Sequence, residues 1–165
     1  MKLLPVIHWN AVVFLMGPLI FATAAIVPAA DAPGVHVWKL TEIEAQGKAL
    51  SGKLDEHKVA SETLVTDGNT TFMIAHREGS GQAEWHATQA DVIVISQGEV
   101  TFTLGGTIVG GKETAPGEIR GSAIQGGMQT HMGPGDVVYI PPKTPHLMTL
   151  APGKQVTYFV TKVTK

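Results

Sequence analysis

Two histidines, each set in a spaced frame of acidic, glycine and proline residues, constrain this 165-residue chain more than any other feature. In the first frame, Glu84 and His86 are separated by one residue, and Asp91 and Gly98 follow. Side chains at i and i+2 of a strand point to the same face. We therefore expect Glu84 and His86 to face one cavity, with Asp91 at the start of the next apolar segment.

The second frame lies sixty residues further along the chain. Gly135 is followed by Pro141 and then by a proline-rich turn that ends at His146. The two frames together predict a set of polar side chains, from distant parts of the sequence, that converges on one point inside a small β-barrel.

The remaining pattern is typical of an all-β protein with many short strands separated by glycine and proline. Gln97 and Gly98 predict a hairpin turn, and Asp67–Asn69 predicts another. The strands we predict are His57–Val65, Thr70–His76, Ala83–Ala87, Val92–Ser96, Val100–Leu104, Met128–Met132, Val137–Ile140, His146–Leu150 and Val156–Val163.

The glycine-rich segment 105–127 interrupts this pattern. It contains eight glycines and few large apolar side chains, and it includes Glu118 and Arg120. Long loops in compact domains are usually lids, binding loops or disordered segments. A solvated surface loop without a role in the site is the alternative.

The N-terminal region differs from the rest of the chain. Residues 1–29 combine a positive start, an apolar stretch and small residues, which is the pattern of a secretory signal peptide. An uncleaved membrane anchor is the alternative, but the apolar stretch is short for a spanning helix. Residues 30–69 are expected to hold a linker, a short helix and the first strand. Thr41 and Glu44 have the spacing of a capping box for that helix.

Composition excludes several classes of function. The chain has 12 basic and 14 acidic residues, a net charge of −2, and no basic block, so nucleic acid is not expected as a partner. It has no cysteine, which excludes disulfides, thiolate ligands and a cysteine nucleophile. The Gly-x-Ser-x-Gly pattern of serine hydrolases is also absent.

The first frame resembles the first motif of the cupin superfamily, which runs Gly, five residues, His-x-His, three or four residues, Glu, six residues, Gly. Glu84 stands at the first His, His86 at the second, Asp91 at the Glu and Gly98 at the final Gly. The leading Gly is replaced by Glu78.

The second frame is similar to the second cupin motif, which runs Gly, five residues, Pro-x-Gly, two residues, His, three residues, Asn. Gly135, Pro141 and His146 match, whereas Lys143 replaces the Gly and Leu150 replaces the Asn. The resemblance implies a double-stranded β-helix (jelly-roll) barrel over residues 70–165.

The resemblance also implies a metal site. Cupins that bind a metal generally use His, His, Glu and His, and the corresponding positions here are Glu84, His86, Asp91 and His146. Imidazoles with carboxylates can hold divalent Mn, Fe, Zn, Ni or Cu. Asp91 is one methylene shorter than the family Glu, and it could instead cap a turn.

Three functions stay open at this level. The chain could be an exported, periplasmic or secreted cupin that binds a small polar molecule, at a divalent metal site. It could be a metal-dependent oxygenase or isomerase acting on a small organic acid, sugar or phenolic compound. It could also be a metal-free binding or assembly module.

The segment Val92–Ile95 is apolar at every position, which predicts a strand buried on both faces. One face can line the barrel, and the other requires cover from the N-terminal segment or from a second subunit. We expect a homodimer and, after cleavage of residues 1–29, no stable membrane anchor.

Overall fold

A computed structural model describes residues 33–165, and the elements below belong to the compact unit Val37–Lys165. The chain begins with helix α1 (Leu40–Leu50) and a single 3-10 turn (Ser51–Lys53). The strands are β1 (Val59–Asp67), β2 (Thr70–Arg77), β3 (Ala83–His86), β4 (Gln89–Gly98), β5 (Val100–Leu104), β6 (Thr107–Val109), β7 (Lys112–Ala115), β8 (Glu118–Gly121), β9 (Ala123–Gln125), β10 (Met128–Met132), β11 (Val137–Ile140), β12 (His146–Thr149) and β13 (Val156–Thr164).

Two antiparallel sheets form the barrel. The first has the strand order β1-β2-β13-β4-β11, and the second has the order β10-β5-β12-β3-β8-β7. Strands β6 and β9 form a separate two-stranded ribbon. The expected all-β, double-stranded β-helix architecture with one short N-terminal helix is confirmed.

The core lies between the inner faces of the two sheets. Phe102 and Val100 from one sheet and Ile95 and Val156 from the other are almost completely buried. Burial of each such side chain stabilises the fold by about 1.5–3 kcal/mol. The core includes Tyr158, which also lines the cavity described below.

Helix α1 covers part of the outer face of the first sheet. Ile43 and Leu50 pack there against Ile74. The capping box expected at Thr41 is wrong in position, because the N-cap is Lys39. Lys39 has an extended backbone, and its N–H donates to the Glu42 carboxylate at 3.2 Å, which satisfies one free donor of the first turn.

The turn after β1 agrees with expectation. Asp67 pairs with Thr70, so that β1 and β2 form an antiparallel hairpin closed by Gly68 and Asn69. Gly68 has a positive φ of 56°, a conformation that glycine adopts without strain.

The hairpin expected at Gln97 and Gly98 is wrong. β4 pairs with β13 and β11, whereas β5 pairs with β10 and β12, so consecutive strands lie in different sheets. Gly98 has a φ of 81°, and a Cβ there would lie 2.0 Å from the carbonyl oxygen of Gln155. This close approach of two backbones is possible only for glycine, and it turns the chain from one sheet to the other.

The expectation of a long loop over residues 105–127 is also wrong. The segment forms four short strands, β6 to β9, and β8 pairs antiparallel with β3 along its whole length. Six of the eight glycines have positive φ values, because they serve the tight turns between these short strands. The high glycine content therefore reflects frequent turns between short strands. A sequence pattern alone does not easily distinguish such a segment from a disordered loop.

The apolar segment Val92–Ile95 is divided between two faces. Ile93 and Ile95 are buried in the barrel. Val92 and Val94 are partly exposed on the outer face, where their pairing partners on β11 are Tyr139 and Val137. Those two β11 side chains are 55% and 61% exposed, so this apolar surface has no cover within residues 33–165.

The expected signal peptide, residues 1–29, lies outside the described residues. Among the residues that are described, none of the helices has the length and apolar character that crossing a bilayer demands.

We predict that Gly98→Ala destabilises the protein more than Gly153→Ala. Both glycines have positive φ, but a Cβ at Gly153 meets nothing within 4 Å. The control substitution should cost about 1 kcal/mol from backbone strain, and Gly98→Ala about 1–3 kcal/mol more from the clash. Urea denaturation of the two variants and the parent measures the difference. Equal losses would contradict the close approach at Gly98.

Candidate metal centre

Two neighbouring strands bring the two sequence frames together. Glu84 and His86 lie on β3, and His146 is the first residue of β12, directly opposite Glu84 in the antiparallel register. The turn before β12 is held to β3, because the Lys143 N–H donates to the His86 carbonyl at 2.7 Å. Lys143 has a φ of 66°, the left-handed conformation for which the cupin motif has glycine.

Glu84, His86 and His146 form one compact cluster. Each offers a ligand atom, and these three atoms all lie within 4.8 Å of one another. The two imidazole rings are 5.1 Å apart between centroids, and both histidines are buried. The structure thus gathers three of the four residues that the sequence nominated into a set that can share one ion.

The Nδ1 atom of each imidazole already has a hydrogen-bond partner. The Nδ1 atom of His146 lies 3.0 Å from the Thr144 carbonyl oxygen, which can only accept a hydrogen bond, so we assign the proton to Nδ1. Burial lowers the pKa of His146 and outweighs the opposing effect of the Glu84 carboxylate. Its Nε2 atom therefore carries a free lone pair.

His86 has the same arrangement. Its Nδ1 atom lies 2.6 Å from a carboxylate oxygen of Glu118, to which it donates. Its Nε2 atom is buried and has no hydrogen-bond partner among residues 33–165. A buried polar atom without a partner is costly, and a metal ion would satisfy it. A carboxylate behind a ligating imidazole is also a common second layer of metal sites.

Asp91 lies beside the cluster on β4. Its Oδ2 atom is 3.5 Å from His86 Nε2 and 3.7 Å from His146 Nε2, too long for good hydrogen bonds. Both of its oxygens instead accept from Lys162 Nζ at 3.0 Å. Burial alone would raise the pKa of Asp91, but the Lys162 ammonium lowers it below its usual value.

Glu84 is held between two arginines. Arg77 approaches one carboxylate oxygen at 3.3 Å, and Arg120 approaches the other at 3.3 Å. Burial would raise the pKa of Glu84, but the charges of Arg120 and Arg77 lower it. The carboxylate therefore stays ionised, as a metal ligand must be.

Sequence reasoning assigned no role in the site to four of the charged residues that surround it: Arg77, Glu118, Arg120 and Lys162. Glu118 and Arg120 come from the segment interpreted as a loop, and the register of β8 sets them opposite His86 and Glu84. The alternation of Glu118, Ile119 and Arg120 was the available signal, because it is the pattern of a strand with one polar face.

A cavity of about 290 Å³ adjoins the cluster. One part of its wall is charged and includes Arg77, Arg120 and Lys162. Another part is apolar and includes Met73 and Val160. The volume is at the lower end of the range for small-molecule sites.

No protein-family model matches the sequence, and neither does any curated protein. Solved structures that match the fold include a cupin 2 conserved barrel domain protein from Rhodopseudomonas palustris (19% identity, TM-score 0.46, 64% of this chain and 60% of that one). Others are a cupin-2 domain from Rhodospirillum rubrum (13%, TM-score 0.49, 66% and 62%) and a cupin superfamily protein from Desulfitobacterium hafniense (13%, TM-score 0.47, 67% and 82%).

The chain spans less than two thirds of the length of several of the matched proteins. It covers 47% of the matched chain in a crystal structure of DMSP lyases. These identities are too low to transfer an activity. The cupin-type fold of this chain rests on its own strand order and on the geometry of its two motifs.

We predict that Glu118→Gln weakens binding of Zn²⁺ or Mn²⁺ about 10–100-fold, the usual effect of losing a second-layer carboxylate. The amide keeps the shape of the side chain but loses the charge that orients the His86 imidazole. Calorimetric titration of the purified protein with each metal measures the affinity.

Glu99→Gln is the matched control for this substitution. Glu99 also lies beside a histidine, at 3.8 Å from His131 Nε2, but that pair is exposed. Metal affinity should not change in this variant. Equal affinities in Glu118→Gln and Glu99→Gln would exclude a role for Glu118 behind the metal.

Proposed function

We propose that this chain is an exported cupin-domain protein that binds a small polar molecule in its barrel at a divalent metal ion. Glu84, His86 and His146 would hold the ion, with Asp91 beside it. Mn, Fe, Zn, Ni and Cu all suit two imidazoles and a carboxylate.

The observation that carries the proposal is the buried Nε2 atom of His86, which has no partner within residues 33–165. The lone pair of His146 Nε2 and the carboxylate of Glu84 lie within ligand reach of the same point. The Nδ1 atom of each imidazole lies within hydrogen-bond distance of an acceptor oxygen, which leaves the Nε2 atoms for the ion.

Three protein ligands would leave coordination positions of the ion open for a further ligand. Metal sites that bind or transform small molecules commonly have this arrangement. A bound divalent ion would supply Lewis-acid chemistry, polarising an oxygen atom of the molecule in the cavity. The protein residues orient that molecule, and the buried position of the histidines limits access of water. Metal-dependent oxygenase or isomerase activity on a small organic acid, sugar or phenolic compound is the catalytic form of this proposal.

A metal-free binding module is the second candidate, and a specific observation favours it. Lys162 Nζ is bonded to both oxygens of Asp91, while Arg77 and Arg120 are bonded to Glu84. Each of these two carboxylates therefore already has a cationic partner without any ion.

Metal content distinguishes these two candidates. We predict that His146→Ala loses most of the bound metal, because it removes one of only two imidazoles, whereas the fold survives. His131→Ala is the matched control, since His131 lies on β10 with its side chain 64% exposed. Elemental analysis of the parent and both variants after reconstitution with Zn²⁺ or Mn²⁺ measures the effect. Equal occupancy in the parent and His146→Ala would exclude His146 as a necessary ligand.

An absence of metal from all three proteins, even after reconstitution, would refute the metal proposal and favour the metal-free module. Circular dichroism of each variant checks that a loss of metal is not a loss of fold.

Export and self-association belong to the same proposal. The sequence of residues 1–29 supports cleavage and a periplasmic or secreted location. The uncovered apolar surface on β4 and β11, which includes Val137 and Tyr139, supports a homodimer, because apolar patches of this kind often mark interfaces.

We predict that native mass spectrometry of the protein recovered from its host detects a dimer of chains that lack about 29 N-terminal residues. An intact chain in the membrane fraction would refute export. A monomer at micromolar concentration would refute the dimer, whatever the N-terminus.

A further inference from the structure

The cavity beside the metal cluster has an excess of hydrogen-bond donors. Its charged wall is formed by Arg77 on β2 and Lys162 on β13, which are neighbouring strands of the first sheet, and by Arg120 on β8 of the second sheet. The two carboxylates that meet these cations, half-buried Glu84 and buried Asp91, are already paired with them. The acceptors are therefore engaged.

The donors, in contrast, are only partly used. A guanidinium carries five N–H groups. Arg77 donates from Nε to the Tyr158 hydroxyl at 3.1 Å and from one Nη to Glu84. Arg120 donates to Glu118 and to the Ile119 carbonyl, and its other Nη lies 3.3 Å from a Glu84 oxygen in an ion pair. Each arginine lines the cavity and thus retains N–H groups that form no hydrogen bond within residues 33–165.

Tyr158 adds a further donor. Its hydroxyl oxygen accepts from Arg77 Nε, so the phenolic proton is directed elsewhere, and the hydroxyl forms no second hydrogen bond within residues 33–165. Burial raises the pKa of Tyr158, and Arg77 only partly offsets this effect, so the phenol stays protonated. A ligand in this cavity is therefore offered several donors and few acceptors.

The balance of charge leads to the same conclusion. Three cations (Arg77, Arg120 and Lys162) face three carboxylates (Glu84, Asp91 and Glu118), so the metal-free site is close to neutral. A divalent ion would leave an excess of about two positive charges in a buried place, where unpaired charge is costly. Asp55 offers no remedy, since it is exposed at the rim and its Oδ1 accepts from the backbone N–H groups of His57 and Val59.

We propose that the ligand of this cavity is a small organic carboxylate, bound by Arg77, Arg120 and Tyr158 next to the metal ion. The planar guanidinium groups match the two oxygens of a carboxylate. This proposal rests on the metal site proposed above, because the bound ion supplies positive charge that the single negative charge of the ligand partly neutralises.

The opposite wall selects the rest of the ligand. Met73, Ile93, Met148 and Val160 present apolar side chains to the cavity. With about 290 Å³ available, the cavity accepts a short aliphatic or single-ring body attached to the carboxylate. An inorganic anion makes the polar contacts but leaves this apolar wall uncovered.

Calorimetric titration of the metal-loaded and metal-free protein tests the proposal with butyrate and benzoate as probes. Butyramide and benzamide are the neutral analogues of the same shape, and sulfate is the anion without an apolar body. We expect the carboxylates to bind at least tenfold tighter than their amides and than sulfate, and tighter still when the metal is present.

Arg120→Gln identifies the donor. Loss of a hydrogen bond to a charged group should weaken benzoate binding about tenfold or more. Lys112→Gln is the matched control, because Lys112 pairs with Arg120 in register on β7, carries the same charge and is exposed outside the cavity. Benzoate affinity should be unchanged in the control.

Equal affinities for benzoate and benzamide would overturn the proposal, as would unchanged benzoate binding in Arg120→Gln, which would mean that the carboxylate binds the metal alone. Elemental analysis of each sample decides the metal function separately. Metal uptake without discrimination between acid and amide refutes the ligand class only, whereas a lack of metal refutes the proposed metal site.

Discussion

The antiparallel pairing of β3 with β12 on one side and β8 on the other is the constraint on which the candidate site depends. It sets His146 opposite Glu84, and it sets Glu118 and Arg120 opposite His86 and Glu84. Because a shift of one residue in register would turn every side chain to the other face, these pairings decide whether a site exists. The turn at Lys143 and its hydrogen bond to β3 help to maintain the register.

The electrostatics of the site follow from burial. Buried carboxylates require partners, and the barrel supplies them from both sheets: arginines for Glu84 and a lysine for Asp91. The same arrangement leaves the Nε2 atom of His86 without a partner among the described residues, while its Nδ1 atom is bonded to Glu118. The carboxylates of the site are thus paired with cations, whereas one buried ring nitrogen has no partner. That nitrogen is a reason to expect a metal cation there, and the positive charge of the cation is a reason to expect an anionic ligand beside it.

Much of the fold could be predicted, because short alternating segments and turn residues are local signals. The failures have a common origin in contacts between distant segments. Gly98 was interpreted as a hairpin turn, yet it carries the chain between sheets, since its neighbour is the backbone of Gln155. The segment 105–127 was interpreted as a loop, although its strands are ordered by pairing with β3. Neither partner is visible from the local sequence.

The sequence by itself determined the class of fold and the residues Glu84, His86 and His146, because strand alternation and the two spaced motifs depend only on neighbouring positions. Only the tertiary structure decided that Asp91 is engaged by Lys162 and that Arg77 and Arg120 hold Glu84. Lys162 and Asp91, like Arg120 and Glu84, are register partners on neighbouring strands that are distant in sequence, whereas Arg77 reaches Glu84 from the other sheet. Charge partners on neighbouring strands depend on register, and partners in opposite sheets depend on closure of the barrel; both properties arise only when the strands have paired.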